Sequence, residues 1–136
     1  MTRPVPTRLP PGVEVRLADE LNVWLCTLRR DGSPHVTPVW FVYADDAWWI
    51  GCDDRSVKVR NVLADPRVSL ALEDGTSPVV AEGVAQVHRG DFPTGVVAAF
   101  AGKYGGWDVR QRAAGGGGRV LLEIPVRRWL LAGTAQ

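Results

Sequence analysis

What most constrains this chain is the run from Val23 to Cys52, VWLCTLRRDGSPHVTPVWFVYADDAWWIGC. Three apolar, aromatic and β-branched stretches are separated there by two short turn signals. Stretches of that composition and length read as strands. Asp31-Gly32 supplies the positive-φ position of a tight turn, and Pro34 resists continuation of the first strand. Strands over Val23–Arg29, His35–Tyr43 and Trp48–Cys52 therefore make an antiparallel meander. Pro38 cannot donate to a ladder, so the second strand lies at an edge or is bulged there. Trp48 and Trp49 are adjacent in a strand and point to opposite faces. One takes the core. The other needs a second cover, and a partner subunit is favoured over a planar ligand.

Beyond Cys52 the period changes. Val59, Val62 and Leu63 fall on one face of a helix from Ser56 to Ala64, and Pro66 stops it. Further strands follow at Arg67–Glu73, at Val79–Arg89 with a bend at Gly83, and at Arg119–Leu131. Val13–Leu21 is a short helix candidate. Asp91–Tyr104 is another, with Asp91 as cap and Pro93 in the first turn. A loop containing Gly115–Gly118 precedes the last strand. The sum is a mainly β chain of about six strands with two or three short helices, which closes best as a small barrel. Its 136 residues suit one domain, with residues 1–12 as a proline-rich arm.

Composition removes several functions. A formal net charge of +1 argues against a nucleic-acid binder, as do the acidic pairs Asp45–Asp46 and Asp53–Asp54. No apolar run approaches the ~18 residues of a membrane span, and the first residues lack a signal-peptide apolar region, so a cytoplasmic protein is expected. Cys26 and Cys52 have no metal-ligand spacing. Neither GxSxG, HExxH nor CxxC occurs, and the glycine run lacks the strand–loop–helix setting of a phosphate loop. Neither a nucleophile set nor a metal set is expected.

The positive signal is DRSVKVRN, Asp54–Asn61, which holds one of the chain's two lysines. The chain leaves a strand there and opens a helix at about Ser56. Unpaired N–H groups and a positive dipole end at such a point favour phosphate. Arg55 offers a planar fork and Lys58 a movable charge. Lys58 and Asn61 are three apart and can share a face away from Val59, Val62 and Leu63. Arg60 projects elsewhere, toward a longer anionic tail or toward Asp65. A solvated helix face explains the same pattern, and spacing alone leaves both readings open.

The ordered segments DGSPHVTPVWFVY, WWIGC, RSVKVRN, DPRVSLALED, VAEGVAQV, FAGKYGGWD and RVLLEIPVRRW span roughly residues 20–131. Together they resemble the pyridoxamine 5′-phosphate oxidase-like split-barrel flavoproteins, most closely the actinobacterial oxidoreductases that use coenzyme F420. The resemblance implies a six-stranded split β-barrel and a homodimer with cofactor grooves at its interface. It implies a phosphate grip at Arg55, Ser56 and Lys58, with Arg60 and Asn61 beside it. A ring wall would be formed by Pro38, Val39, Trp40, Ile50, Gly51 and Cys52. The other subunit's Lys103, Tyr104 and Trp107 would close the groove. The implied activity is hydride transfer from F420, or alternatively FMN, to a small unsaturated substrate. A flavin, deazaflavin or haem carrier without turnover is the rival. An absent nucleophile fits both, because the bound ring carries the chemistry.

Overall fold

The structure, a computed structural model, describes residues 8–112 and 117–132. β1 (Val23–Leu28) and β2 (Pro34–Val39) form the first hairpin, in register from Val23↔Val39 to Leu28↔Pro34. Its turn is fixed by Gly32 at φ 86° and by the Asp31 carboxylate, which accepts from Ser33 N at 2.9 Å and Ser33 Oγ at 2.6 Å. β3 (Val42–Ala44) and β4 (Ala47–Asp53) form the second hairpin. Asp45 and Asp46 turn it, both at positive φ, as a two-residue hairpin loop requires.

β5 (Arg67–Leu72), β6 (Val79–Val84), β7 (Gln86–Arg89) and β8 (Arg119–Ala132) complete an eight-stranded sheet in the order β2-β1-β5-β6-β8-β4-β3, with β7 also on β8. One edge of β8 pairs with β4; the other pairs first with β7 and then with β6. The outermost strands, β2 and β3, are consecutive in the chain and separated by only Trp40 and Phe41. The sheet must therefore curl until its two edges nearly meet, which is the split barrel.

The six expected strands become eight because two of them break. His35–Tyr43 breaks at Trp40–Phe41, since its halves belong to opposite edges of the sheet. Val79–Arg89 breaks at Ala85, whose N–H leaves the ladder to donate to Pro66 O at 2.8 Å. The expected bend at Gly83 is a register shift where β6 meets β8. A Cβ at Gly83 would sit 2.5 Å from Pro125 O, so the crossing tolerates no side chain.

Leu25, Trp48, Ile50, Leu70, Leu122 and Ile124 fill the barrel. α1 (Val13–Asp19) adds Val13 and Leu17, and α2 (Val57–Ala64) adds Val59 and Val62. The arm reaches this core through Leu9; residues 1–7 lie outside the described residues. α3 (Thr94–Lys103) packs Val96 and Phe100 on the opposite face of β4, with Trp49, Leu121 and Val109. Pro93, rather than Asp91, stands at its N-cap.

Two expectations are corrected. Trp48 and Trp49 do point to opposite faces, but both are buried within the chain, because α3 covers Trp49 without a partner or ligand. The indole N–H of Trp49 donates to Ala44 O at 2.9 Å. On α2, Leu63 is 60% exposed while Asn61 is buried. Asn61 Nδ2 donates to Thr27 Oγ1 at 2.9 Å, and that buried hydroxyl on β1 sets how the helix is rolled. No helix among the described residues is long and apolar enough to cross a membrane.

Candidate cofactor site

The DRSVKVRN segment runs from the end of β4 into α2. Asp53 O accepts from Ser56 N at 3.0 Å, and Ser56 O accepts the first helical bond, from Arg60 N at 3.2 Å. Asp53 Oδ1 takes Arg55 N at 2.9 Å and lies 3.5 Å from Arg55 Nε. The bond from the Arg55 backbone holds the Asp53 carboxyl below the usual carboxylate range, helped by the Arg55 charge. The turn is thus made by aspartate, and the Ser56 side chain plays no capping part. Its Oγ is buried with no hydrogen-bond partner among the described residues, beside a helix start whose N–H groups are unspent. Asp54 Oδ1 is buried and unpartnered in the same way.

Cations gather around this point. Arg55 is exposed just before the N-cap of α2, and Lys58 is half-buried on its first turn. Arg119 stands directly across the ladder from Asp53. Burial pushes the Cys52 thiol up to about 11, against the downward pull of Lys58 and Arg119. Arg60 is exposed and does not reach Asp65, whose carboxylate is held by Arg67 at 2.7 Å. Lys58 and Asn61 do not share an outward face, because Asn61 is spent on Thr27.

Of the residues expected in the ring wall, Pro38 and Trp40 are exposed and Val39 is half-buried at the end of β2. Ile50 and Cys52 face the barrel interior, both fully enclosed. Gly51 faces the other way, under Val109 and Trp107, and a Cβ there would collide with Val109 Cγ2. The wall therefore has its open part at Trp40. The Trp40 ring stacks on Tyr104 at 4.4 Å and 8°, with Trp107 edge-on at 5.3 Å. The Tyr104 hydroxyl accepts from Phe41 N at 2.8 Å; Leu21 O lies 2.8 Å and Phe41 O 2.9 Å away as acceptors for its one proton. This pins the crossover between the sheet edges. Lys103 is turned from this band and donates to Leu17 O at 3.0 Å. Lys103, Tyr104 and Trp107 are thus all engaged within their own chain.

Arg119 joins the two groups. Its guanidinium lies 5.4 Å from the Trp107 ring, with Nε donating to Gln111 O at 2.9 Å. Trp40, Trp107, Arg119 and the start of α2 follow one another in a band that is exposed at Trp40, half-buried at Trp107 and Arg119, and ends in positive charge. Arg119 was not legible in the sequence because only the pairing of β4 with β8 sets it across from Asp53. The available signal was its place as first residue of the strand that pairs with WWIGC. Gly117 and Gly118 close the cationic end of the band. A Cβ at Gly117 would sit 2.5 Å from the Asp53 carboxylate, and Gly118 O accepts Asp54 N at 3.0 Å.

A family profile described as pyridoxamine 5′-phosphate oxidase matches residues 9–132. Among solved structures, an F420 reductase is 23% identical with a TM-score of 0.70, over 89% of this chain and 98% of that one. The heme storage protein of Vibrio cholerae is 18% identical with a TM-score of 0.74, over 95% and 98% of the two chains. A conserved hypothetical protein of Mycobacterium tuberculosis is 27% identical with a TM-score of 0.71, over 95% and 87%. No curated protein sequence matches.

Proposed function

The chain belongs to the pyridoxamine 5′-phosphate oxidase family, and from that premise we propose that it is an oxidoreductase that binds F420 and passes hydride to a small unsaturated molecule. The carrying observation is the buried, unpartnered Ser56 Oγ at the start of α2, with Arg55 and Lys58 beside it in the chain and Arg119 across the ladder from Asp53. A phosphate oxygen is the group this hydroxyl lacks, and the helix N–H groups and cations favour its charge. Asp53 shares the Arg55 charge, so Lys58 and Arg119 carry the larger part of the attraction. The exposed face of Trp40 offers a platform for a planar ring, at the far end of the band from the cations.

When bound, a flavin or deazaflavin supplies the hydride chemistry itself. The chain's part is to hold and orient. Arg55, Ser56 and Lys58 grip the phosphate, Arg119 adds charge between phosphate and ring, and Trp40 and Trp107 exclude water from one face. F420 is preferred to FMN because its longer anionic tail uses more of the arginines than one phosphate does. The same grip takes FMN, which is the alternative cofactor. A non-catalytic carrier of a flavin, deazaflavin or haem is the second reading. It draws on the exposed Trp40, on which any planar macrocycle can stack, and on the fold shared with a heme storage protein.

A homodimer belongs to the same proposal. Trp24 and Val36 are 43% and 56% exposed on one face of neighbouring strands, an apolar area that a second copy would cover. The free thiols Cys26 and Cys52 fit a cytoplasmic setting. The deciding experiment is a fluorescence titration with F420 and with FMN, with sedimentation at the same concentrations. Submicromolar F420 binding, weakened by about 1.5–3 kcal/mol in Lys58→Ala, supports the grip. Unchanged affinity in that variant removes Lys58 from it, and binding of neither cofactor ends the reading. Turnover of reduced F420 against an acceptor panel then separates enzyme from carrier.

A further inference from the structure

A second concavity lies apart from the band just described. It is a cleft of about 540 Å³ between α1, β3 and α3, walled by Leu17, Val42 and Ala99. Lys103 lines it. Among the described residues its ammonium meets one hydrogen-bond acceptor, Leu17 O, and sits 3.6 Å over the Phe41 ring. Burial brings this amine down to about 8, against the opposing pull of Glu20 and Asp19. Tyr43 lines the same cleft, and its hydroxyl is buried with no partner among the described residues. Glu14, Asp45 and Asp46 complete the rim. A half-buried amine on the wall of a cleft, set against the Phe41 ring and the apolar side chains of Leu17, Val42 and Ala99, is the setting of an imine-forming lysine.

We propose that this cleft binds small apolar aldehydes and that Lys103 condenses with them. The neutral amine's lone pair adds to the carbonyl carbon, giving a carbinolamine. The hydroxyl then leaves as water, taking a proton from solvent, and the nitrogen proton returns to solvent. The sum is amine plus aldehyde to imine plus water, with no change of oxidation state. The acidic rim disfavours anionic aldehydes. This inference is independent of the cofactor reading, because neither Lys103 nor the cleft takes part in it.

The chain makes a clean test, since Lys58 is its one other lysine. The full-length protein is incubated with hexanal and cyanoborohydride at pH 7.5, and the reduced adducts are located by peptide mass spectrometry. Lys103 is expected to be labelled about tenfold faster than Lys58, because burial brings the Lys103 amine down to about 8. Hexanal is expected to outpace glyoxylate at Lys103. Lys58 labelled as fast as Lys103, or glyoxylate labelling Lys103 as fast as hexanal, overturns the proposal in the unmodified protein. Ala99→Phe, which narrows the cleft, is expected to slow Lys103 labelling severalfold. A folded Ala99→Phe variant that labels at the original rate also overturns it.

Discussion

The pair Asn61–Thr27 separates a binding role from a packing role. Thr27 is fully buried, Asn61 is 6% exposed, and their 2.9 Å bond ties α2 to β1. Thr27→Val keeps the shape and leaves the Asn61 amide without its acceptor. Asn61→Leu leaves the threonine hydroxyl without its donor. Each single change strands a buried polar group, at about 1–3 kcal/mol. The double variant removes both and replaces them with apolar groups of similar volume, so its cost is expected to fall below about 1 kcal/mol. With about 2 kcal/mol for each single change, the coupling between the two sites is then about 3 kcal/mol, at the top of the range for contacting residues. With an unfolding entropy of about 2.1 cal/mol/K per residue, the chain has about 0.29 kcal/mol/K, so each single change lowers Tm by roughly 7 °C. The assay is urea unfolding and thermal melting of the four proteins at one concentration without cofactor. Single variants within about 0.5 kcal/mol of the parent, or a double variant costing the sum of the singles, would refute the reasoning.

Three further outcomes are expected. Gly51→Ala drives a methyl into Val109 and costs about 1–3 kcal/mol in urea unfolding, and Val109→Ala in the same chain recovers part of it; a neutral Gly51→Ala contradicts the packing. Cys52, buried and with its thiol raised to about 11, stays unreactive toward a disulfide reagent until denaturant is added, whereas half-buried Cys26 reacts in the native protein; two native-state thiols count against it. The folded state holds Lys103 near 8 and the unfolded state near its ordinary 10.5, so the unfolded chain binds more protons between those values. Stability relative to Lys103→Met should therefore rise with pH from about 8 to 10. Tyr43, raised to about 12 by burial, lowers the stability of both proteins above about 10 and so cancels in the difference. A flat difference curve refutes the burial of Lys103.

The barrel was legible because its signals are local. Asp31-Gly32 and Asp45-Asp46 fix two hairpins from neighbouring residues, and the alternation through Leu25, Ile50 and Leu70 needs no distant information. The breaks at Trp40–Phe41 and Ala85 were not legible. Each follows from where the flanking halves find partners: one across the whole sheet, the other at Pro66. The phosphate grip proposed above draws on residues that were only partly legible. Arg55, Ser56 and Lys58 could be placed by their position at a helix start. Arg119 could not, because it arrives through the pairing of β4 with β8. Asn61 and Leu63 exchanged roles for a similar reason: only the fold sets a buried threonine hydroxyl beside α2. Trp49 shows the limit of counting faces, since a strand pattern cannot say that a later helix will cover the second one.

β8 has a consequence for the order in which the protein is made. It is a single 14-residue strand that supplies partners to β4, β6 and β7. While the ribosome is still upstream of Arg119, the β1–β2, β1–β5, β5–β6 and β3–β4 pairings can form, but nothing connects the two groups. The nascent chain holds two unjoined sheets with Trp48, Ile50 and Ala81 lacking their cover, in a fold whose final contacts are the long-range ones that form slowly. Barrel closure must therefore wait until β8 has emerged. A ribosome stalled before that point would present a chaperone with two exposed strand edges, those of β4 and β6.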